Sequence, residues 1–166
     1  LSAQKLTPAP QAQLISLFCY EPAQLHNWLK LLLQQAQAQH LLVCAGRGQA
    51  AFMQTVRQLG LQASDKLNWS LLPFLPQADF DHMLWSCDIN MVRGEDSCLR
   101  AIWAGKPFVW QIYEQDDAAH HEKLSAFMDR ADLPLAVQRL WRGWNGLGGN
   151  HLQAQDWQAL EVAPQF

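Results

Sequence analysis

The 166-residue chain is predicted to fold as an α/β domain, with a Rossmann-like, doubly wound parallel sheet covered by helices on both faces. Two observations predict this fold. Short apolar runs alternate five times with amphipathic segments between residues 14 and 112, which is the pattern of successive β-α-β units. Hydrophobic residues also make up 49% of the composition, enough to fill the core of one domain of this length.

The first half of the chain supplies three predicted strands and two predicted helices. The strands are short apolar runs, at residues 14–19, 40–44 and 67–72. Apolar residues recur at helical spacing after Pro22, which is well suited to a first helical turn, and predict a helix that runs to about Gln39. A second helix, which carries Phe52 and Val56, is predicted to end at Gly60.

The second half continues the alternation. Pro73 and Pro76 predict a rigid, extended loop after the third strand. The elements predicted next are a helix over 77–87, a strand over 89–92, a helix over 98–103 and a strand over 108–112. Two further apolar stripes at helical spacing and a short helix around Trp157 predict that the chain ends in helices.

Composition and charge limit the class of protein. The net charge of −3 offers no bulk attraction to nucleic acid or to an anionic membrane, and no apolar run is long enough to span a bilayer. The four cysteines stand singly in apolar segments, which predicts buried thiols and a cytoplasmic location. The six histidines lack metal-ligand spacing, so no metal site is predicted.

Residues 1–13 are predicted to be a linker, 14–150 the ligand-binding domain and 151–166 a helical tail.

The most informative segment joins a predicted strand to a predicted helix. It carries a cation, a flexible glycine, two carboxylates and a hydroxyl, namely Arg93, Gly94, Glu95, Asp96 and Ser97. The free N–H groups and dipole of a helix start favour an anion there, and a guanidinium can grip a diphosphate. Each residue also has a structural alternative: an ion pair for Arg93, a simple turn for Gly94, helix capping for Ser97, and ordinary helix-start charge for the carboxylates.

Other candidate residues follow the ends of other predicted strands. Tyr20, Gln77 and Tyr113 are expected to converge with the segment 93–97, because the carboxyl ends of parallel strands share one edge of the sheet. Three more aromatic side chains could stack on a nucleotide base or belong to the core: Phe18, Phe74 and Phe80. The segment 46–48 has two glycines but lacks the third of the dinucleotide fingerprint, so it is weak evidence of a nucleotide loop.

A polar turn after a strand, two helical turns, and Ala-Gly-Lys-Pro before the next strand together resemble the nucleotide-sugar segment of two-domain, GT-B type glycosyltransferases. Longer strings resemble the protein-arginine rhamnosyltransferase family, and Arg-Gly-Glu-Asp-Ser is the most specific of them. The similar strings lie at residues 16–21, 73–77, 79–81, 84–88, 92–97, 103–110, 112–113 and 115–116. The resemblance implies that this chain is the C-terminal, donor-binding half of such a GT-B enzyme and one part of a larger protein.

The resemblance also implies a reaction. The family transfers L-rhamnose, with inversion, from dTDP-β-L-rhamnose to one arginine of translation elongation factor P, and needs no further cofactor. By this resemblance Glu95 would be a catalytic or acceptor-orienting carboxylate. The residues that would hold the donor, with the phenylalanines forming a thymine pocket, are Phe18, Tyr20, Phe74, Gln77, Phe80, Arg93, Gly94, Asp96, Ser97 and Tyr113.

In that family the general base, an aspartate, lies in an N-terminal domain that this chain does not resemble. The chain alone is therefore expected to bind donor without turnover. Two other classes stay open. One is a nucleotide-binding module without transferase activity, and the other is a glycosyltransferase or epimerase-like domain that uses a UDP-sugar.

Overall fold

A computed structural model describes residues 12–114, 119–147, 149 and 152–162, and these contain one five-stranded parallel sheet flanked by helices. The predicted α/β, Rossmann-like class is confirmed. The strands are β1 (Gln13–Leu17), β2 (Gln39–Val43), β3 (Leu67–Leu71), β4 (Ile89–Arg93) and β5 (Phe108–Gln111). The helices in the described part of the chain are α1 (Leu25–Gln34), α2 (Arg47–Gln58), α3 (Gln77–Ser86), α4 (Gly94–Ala104), α5 (Ala119–Arg130), α6 (Leu135–Trp144) and α7 (Ala154–Glu161).

Helix α1 is shorter than predicted. It begins at Leu25 and ends at Gln34, instead of running from Pro22 to Gln39. The helix cannot reach Gln39 because that residue is the first of β2 and pairs with Gln13 in the sheet. The strand pairing therefore sets a boundary that helical periodicity alone placed too late.

Helix α4 begins at Gly94, earlier than the predicted start at Cys98. Arg93 occupies the N-cap position in an extended conformation, with φ −132° and ψ 152°. The Ser97 hydroxyl accepts a hydrogen bond from the backbone N–H of Arg93 at 3.1 Å and so closes the first turn. The charged segment is therefore the first turn of α4 and not a loop in front of it.

The strand order, β3-β2-β1-β4-β5, puts β1 at the centre of the sheet. The chain leaves β1 toward β2 and β3 on one side and returns on the other side as β4 and β5. The carboxyl ends of β1 and β4 are adjacent, since Leu17 pairs with Met91 and the Phe18 N–H donates to the Met91 carbonyl at 2.8 Å. In sheets of this topology, ligands bind beside the carboxyl ends of the strands where the order reverses.

A buried polar network supports this point of the sheet from within. The Ser16 hydroxyl donates to Oδ1 of Asn90 at 2.6 Å, and Nδ2 of Asn90 donates to the Leu84 carbonyl at 3.0 Å. Ser16 and Asn90 are both fully buried. Because buried polar groups are costly when unpaired, this network stabilises one arrangement of β1, β4 and α3.

Most tryptophans fill the core. The Trp28 ring packs edge-on against Trp144 and Trp157, with centroids 5.5 and 5.9 Å apart, and all three are at most 1% exposed. This cluster joins α1 to α6 and to α7. Trp85 and Trp103 are the exceptions among residues of the described helices, at 51% and 68% exposed.

In the part of the chain that the structure describes, no helix is both long enough and apolar enough to cross a membrane. The predicted linker lies outside the described residues as far as residue 11, as does the string at residues 115 and 116. The predicted tail is described over 152–162, where α7 packs on the core through Trp157.

Candidate functional site

A cleft of about 720 Å³ opens at the carboxyl ends of β1 and β4. The residues that line it are Phe18, Tyr20, Cys44, Ala45, Pro73, Phe74, Leu75, Gln77, Phe80, Arg93, Gly94, Glu95, Asp96, Ser97 and Arg100. Every residue predicted for the site lines this cleft except Tyr113. Tyr113 lies next to it, edge-on against Tyr20 with ring centroids 5.8 Å apart, and lines two smaller adjoining pockets.

Arg93 presents an uncompensated cation to the cleft. Its guanidinium lies over two aromatic rings, 4.3 Å from the centroid of Phe18 and 4.6 Å from that of Tyr20. Nη1 donates to the Cys19 carbonyl at 3.3 Å. No carboxylate of the described residues lies within 4.0 Å of this guanidinium, so the ion pair considered as an alternative from the sequence is not formed. The stacking holds the cation in place without neutralising it.

Two helix starts lie beside the Arg93 guanidinium. Gly94 opens α4, and its φ of 65° is a conformation that side chains rarely adopt. A Cβ at Gly94 would also stand 3.0 Å from the hydroxyl of Tyr20. Gly46 is the N-cap of α2, and a Cβ there would stand 4.0 Å from Nη2 of Arg93. The unpaired N–H groups and dipoles of both helices add positive potential around this cation.

Ser97 is buried, and its hydroxyl serves the backbone of Arg93. The hydroxyl accepts from the Arg93 N–H at 3.1 Å and donates to the Arg93 carbonyl. Ser97 is therefore not the N-cap, a position that Arg93 occupies, but lies within the first turn of α4. In this geometry the hydroxyl stabilises the strand-to-helix turn, and the backbone N–H groups of that turn are the groups available to bind an anion.

The two carboxylates that follow Gly94 point to different cations. Oε1 of Glu95 pairs with Nζ of Lys123 on α5, and Oδ2 of Asp96 pairs with Nε of Arg100 at 2.8 Å. Both carboxylates are mostly exposed, and the hydrogen bond and charge of Lys123 lower the pKa of Glu95. Each of these two carboxylates beside the candidate anion site is thus paired with a cation other than Arg93.

Arg100 lines the cleft although the sequence analysis did not assign it to the site. It pairs with Asp96, four residues before it on α4, and with Asp81 on α3. The i,i+4 spacing to Asp96 was the signal available in the sequence. The pairing with Asp81 joins two helices and leaves no such signal.

Aromatic rings line the cleft next to the Arg93 guanidinium. The rings of Phe18 and Phe80 pack edge to face with centroids 5.2 Å apart, and both are partly buried. Phe74, between Pro73 and Leu75, is 84% exposed and stands at the rim. A flat heteroaromatic ring could enter between these faces, because apolar ring surface is already available there.

The glycines at 46–48 have a packing role as well. A Cβ at Gly48 would lie 2.3 Å from the Cys19 carbonyl oxygen, so only glycine lets α2 approach the end of β1 this closely.

Burial raises the pKa of the Cys44 thiol, which lines the cleft, to about 12. A thiol in that state is a poor nucleophile. Among the described residues, no three His, Cys, Asp or Glu side chains are grouped so that they could hold a metal ion.

The sequence profile of the family described as Elongation-Factor P (EF-P) rhamnosyltransferase EarP matches residues 2–165. The chain belongs to the EarP family. This chain is 48% identical to a protein-arginine rhamnosyltransferase of Pseudomonas putida over 147 residues, which cover 82% of this chain and 39% of that protein. A protein of the same name from Pseudomonas aeruginosa is 41% identical over 160 residues, covering 90% of this chain and 42% of that protein.

A solved structure also resembles this EarP-family chain. It is described as the structural basis for EarP-mediated arginine glycosylation of translation elongation factor EF-P. The two superpose with a TM-score of 0.75 at 42% sequence identity, over 92% of this chain and 50% of that chain. The predicted GT-B, Rossmann-like class agrees with this neighbour. This EarP-family chain spans half or less of the length of these relatives.

Proposed function

We propose that this chain is the donor-binding half of a protein-arginine rhamnosyltransferase. It holds dTDP-β-L-rhamnose and, within a polypeptide of the relatives' length, transfers rhamnose with inversion to an arginine of translation elongation factor P. One observation carries the proposal: in a chain of the EarP family, the Arg93 guanidinium lines the cleft beside two helix starts, with no described carboxylate within 4.0 Å.

The diphosphate of the donor lies at Arg93 and the first turn of α4. Departure of dTDP builds negative charge as the sugar bond breaks, and a guanidinium with free N–H groups can stabilise that charge. Arg93 has this capacity because the described residues use only one of its N–H donors, in the bond to the Cys19 carbonyl. The backbone N–H groups after Gly94 add to the same stabilisation.

The thymine base lies against the aromatic rings of the cleft. Phe18 and Phe80 offer a packed ring surface and Phe74 offers an exposed one. Placing a base against Phe74 would remove this phenyl ring from water, which is favourable by about 1.5–3 kcal/mol for complete burial of such a side chain. Gln77, on the first turn of α3, supplies an amide at the same wall.

The acceptor arginine approaches Glu95. A guanidinium stays protonated near neutral pH and is a poor nucleophile, so transfer requires carboxylates that orient it and relieve its charge. Glu95 already binds a cation, the ammonium of Lys123, through an exposed pair. An incoming guanidinium would compete with Lys123 for this carboxylate. The general base implied by the family resemblance lies outside the part of the protein that this chain resembles.

Two measurements test the proposal. Calorimetry of this chain with dTDP-rhamnose, dTDP and UDP-sugars is expected to show binding of the dTDP compounds, with a preference for the rhamnosylated one. Mass spectrometry of elongation factor P is expected to show a rhamnose adduct on arginine only with a polypeptide of the relatives' length. Absence of donor binding by a folded sample would overturn the proposal. Equal binding of dTDP and dTDP-rhamnose without transfer would favour a nucleotide-binding module, and a preference for UDP-sugars would favour another transferase or an epimerase-like domain.

A cytoplasmic location, metal-independent chemistry and contact with an N-terminal half of the same polypeptide belong to this proposal. Each has its own check: cell fractionation, transfer in the presence of a chelator, and co-purification of the two halves as separate chains. Loss of transfer on chelation, for example, would contradict the metal-independent reaction.

A further inference from the structure

Arg100 connects two walls of the cleft. Its side chain is 11% exposed and extends from α4 toward α3. Nη1 donates to both carboxylate oxygens of Asp81 at 2.9 Å. Nε and Nη2 donate to the two oxygens of Asp96 at 2.8 and 3.4 Å. One guanidinium thus holds a carboxylate from each helix.

A third partner of Arg100 is the amide of Gln77. In the amide orientation that satisfies both side chains, the Gln77 oxygen accepts from Nη1 of Arg100 at 2.9 Å and also from Nη2. A guanidinium has five N–H groups, and here every nitrogen has at least one protein partner. Arg100 therefore differs from Arg93, which keeps most of its donors for a ligand.

We propose that Arg100 is a positioning residue for donor binding: it fixes Gln77 on α3 and Asp96 on α4 at the rim of the cleft, and Asp81 in turn anchors Arg100. The inference rests on the proposed function of the cleft. Arg100 does not grip the donor itself, since its donors are already used. It sets the geometry and the charge of two residues proposed to touch the donor.

The charge of Asp96 explains why such a residue is needed. The Asp96 carboxylate is 80% exposed and lies in the same helical turn whose N–H groups would receive the diphosphate. Without a cation, this carboxylate would repel the ligand. Gln77 would lose an anchor too, and an exposed side chain that must be ordered on binding weakens the affinity.

Lysine cannot replace this arginine. The arrangement needs the two-nitrogen contact of Nε and Nη2 with Asp96 and the simultaneous contact of Nη1 with Asp81, whereas an ammonium is a compact point charge with three donors. Arg100→Lys keeps the charge and most of the apolar stem, so it separates geometry from net charge. Asp81→Asn is the second variant, because Asp81 does not line the cleft and the change substitutes none of the lining residues.

The experiment measures the dissociation constant for dTDP-rhamnose and the unfolding temperature of this chain and its variants. Arg100→Lys and Asp81→Asn are each expected to weaken donor binding roughly tenfold, as the loss of a hydrogen bond to a charged group does. In a double-mutant cycle, the effects of Arg100→Lys and Asp96→Asn on the free energy of donor binding should be less than additive, because both substitutions alter the same contact. In a polypeptide of the relatives' length, these changes should raise the KM for donor and leave the KM for elongation factor P unchanged.

Two matched controls separate positioning from general stability. Asp79→Asn removes the same charge from the same helix at an exposed position. Arg139→Lys alters another arginine pair, to Asp156 at 2.6 Å, which joins α6 to α7. Both controls should bind donor as the wild type does, even where Arg139→Lys lowers the unfolding temperature.

The outcomes are distinct. Donor binding by Arg100→Lys and Asp81→Asn within twofold of the wild type would overturn the inference and leave the proposed function standing. Weakened binding by the control variants in proportion to their stability would also overturn it, because the effect would then be structural. A folded wild-type chain that does not bind dTDP-rhamnose would remove the proposed function, and the inference with it.

Discussion

Replacement of Arg93 by alanine is expected to weaken donor binding by about 1.5–3 kcal/mol, roughly 10- to 150-fold, which is the range for loss of a charge-assisted hydrogen bond. Arg93 has donors available for such a bond. One of its five N–H groups is used by the Cys19 carbonyl at 3.3 Å, and four remain for phosphate oxygens. Arg93→Lys keeps the charge but loses the planar fork and the close fit over Phe18 and Tyr20, so an intermediate loss is expected.

The assay is calorimetric titration of dTDP into the wild type, the two variants and a control, Arg57→Ala. Arg57 lies exposed in the last turn of α2, whereas the cleft faces the first turn of that helix. Thermal unfolding is measured in parallel, because removal of the guanidinium leaves Phe18 and Tyr20 without their stacking partner. Binding by a folded Arg93→Ala sample within twofold of the wild type would refute the assignment of Arg93 to the diphosphate.

Three further predictions follow from single contacts. Glu95→Ala should mainly slow turnover in a polypeptide of the relatives' length. Lys123→Met should move the acid limb of the pH–rate profile to higher pH, because Lys123 lowers the pKa of Glu95. An acid limb at the same pH in this variant would contradict the pairing of Lys123 with Glu95. Gly48→Ala should lower the free energy of unfolding in urea by about 1–3 kcal/mol or more, since its Cβ would stand 2.3 Å from a backbone oxygen; unchanged stability would contradict the close approach. Burial lowers the pKa of His40, so the unfolded chain binds a proton more readily and stability should fall as the pH drops below about 6.5; a His40→Gln variant should lack that dependence, and equal pH profiles for the two proteins would contradict it.

The convergence of the predicted site residues could be deduced from the sequence because it depends on topology. Phe18 and Tyr20 follow β1, and Arg93 ends β4 at the neighbouring position in the sheet. Once the apolar runs are assigned to parallel strands, their carboxyl ends must share one edge. Tyr113 follows β5, the edge strand beyond β4, and so it lies beside the main cleft instead of within it.

Ion pairs between elements could not be predicted in the same way. Glu95 pairs with Lys123 across 28 residues, and Arg100 pairs with Asp81 across 19. Such pairs depend on how helices pack, and packing leaves no fixed spacing in a sequence. The sequence likewise left open an ion pair for Arg93 as the alternative to anion binding, and in the described residues that pair is not formed.

The start of α4 was misplaced for a related reason. Glycine and aspartate disfavour a helix interior, and the helix predicted from the sequence began only at Cys98. At a helix start the preference reverses, because carboxylates are favoured by the dipole. Gly94 further supplies the positive φ that the turn out of β4 requires. Gly94 and the two carboxylates therefore form the first turn of the helix.

Two carboxylates beside an anion site are compatible with binding because of how their charges are shared. Arg100 pairs with both Asp81 and Asp96 and offsets one of their two negative charges, and Lys123 compensates Glu95. Arg93 is thereby left without a partner, although the formal charges of these six groups cancel. The attraction for a diphosphate then arises from placement: the uncompensated guanidinium stands next to two helix starts, and the compensated carboxylates face other cations. If this is how the cleft selects an anion, loss of a compensating cation should weaken donor binding even though that cation never contacts the donor.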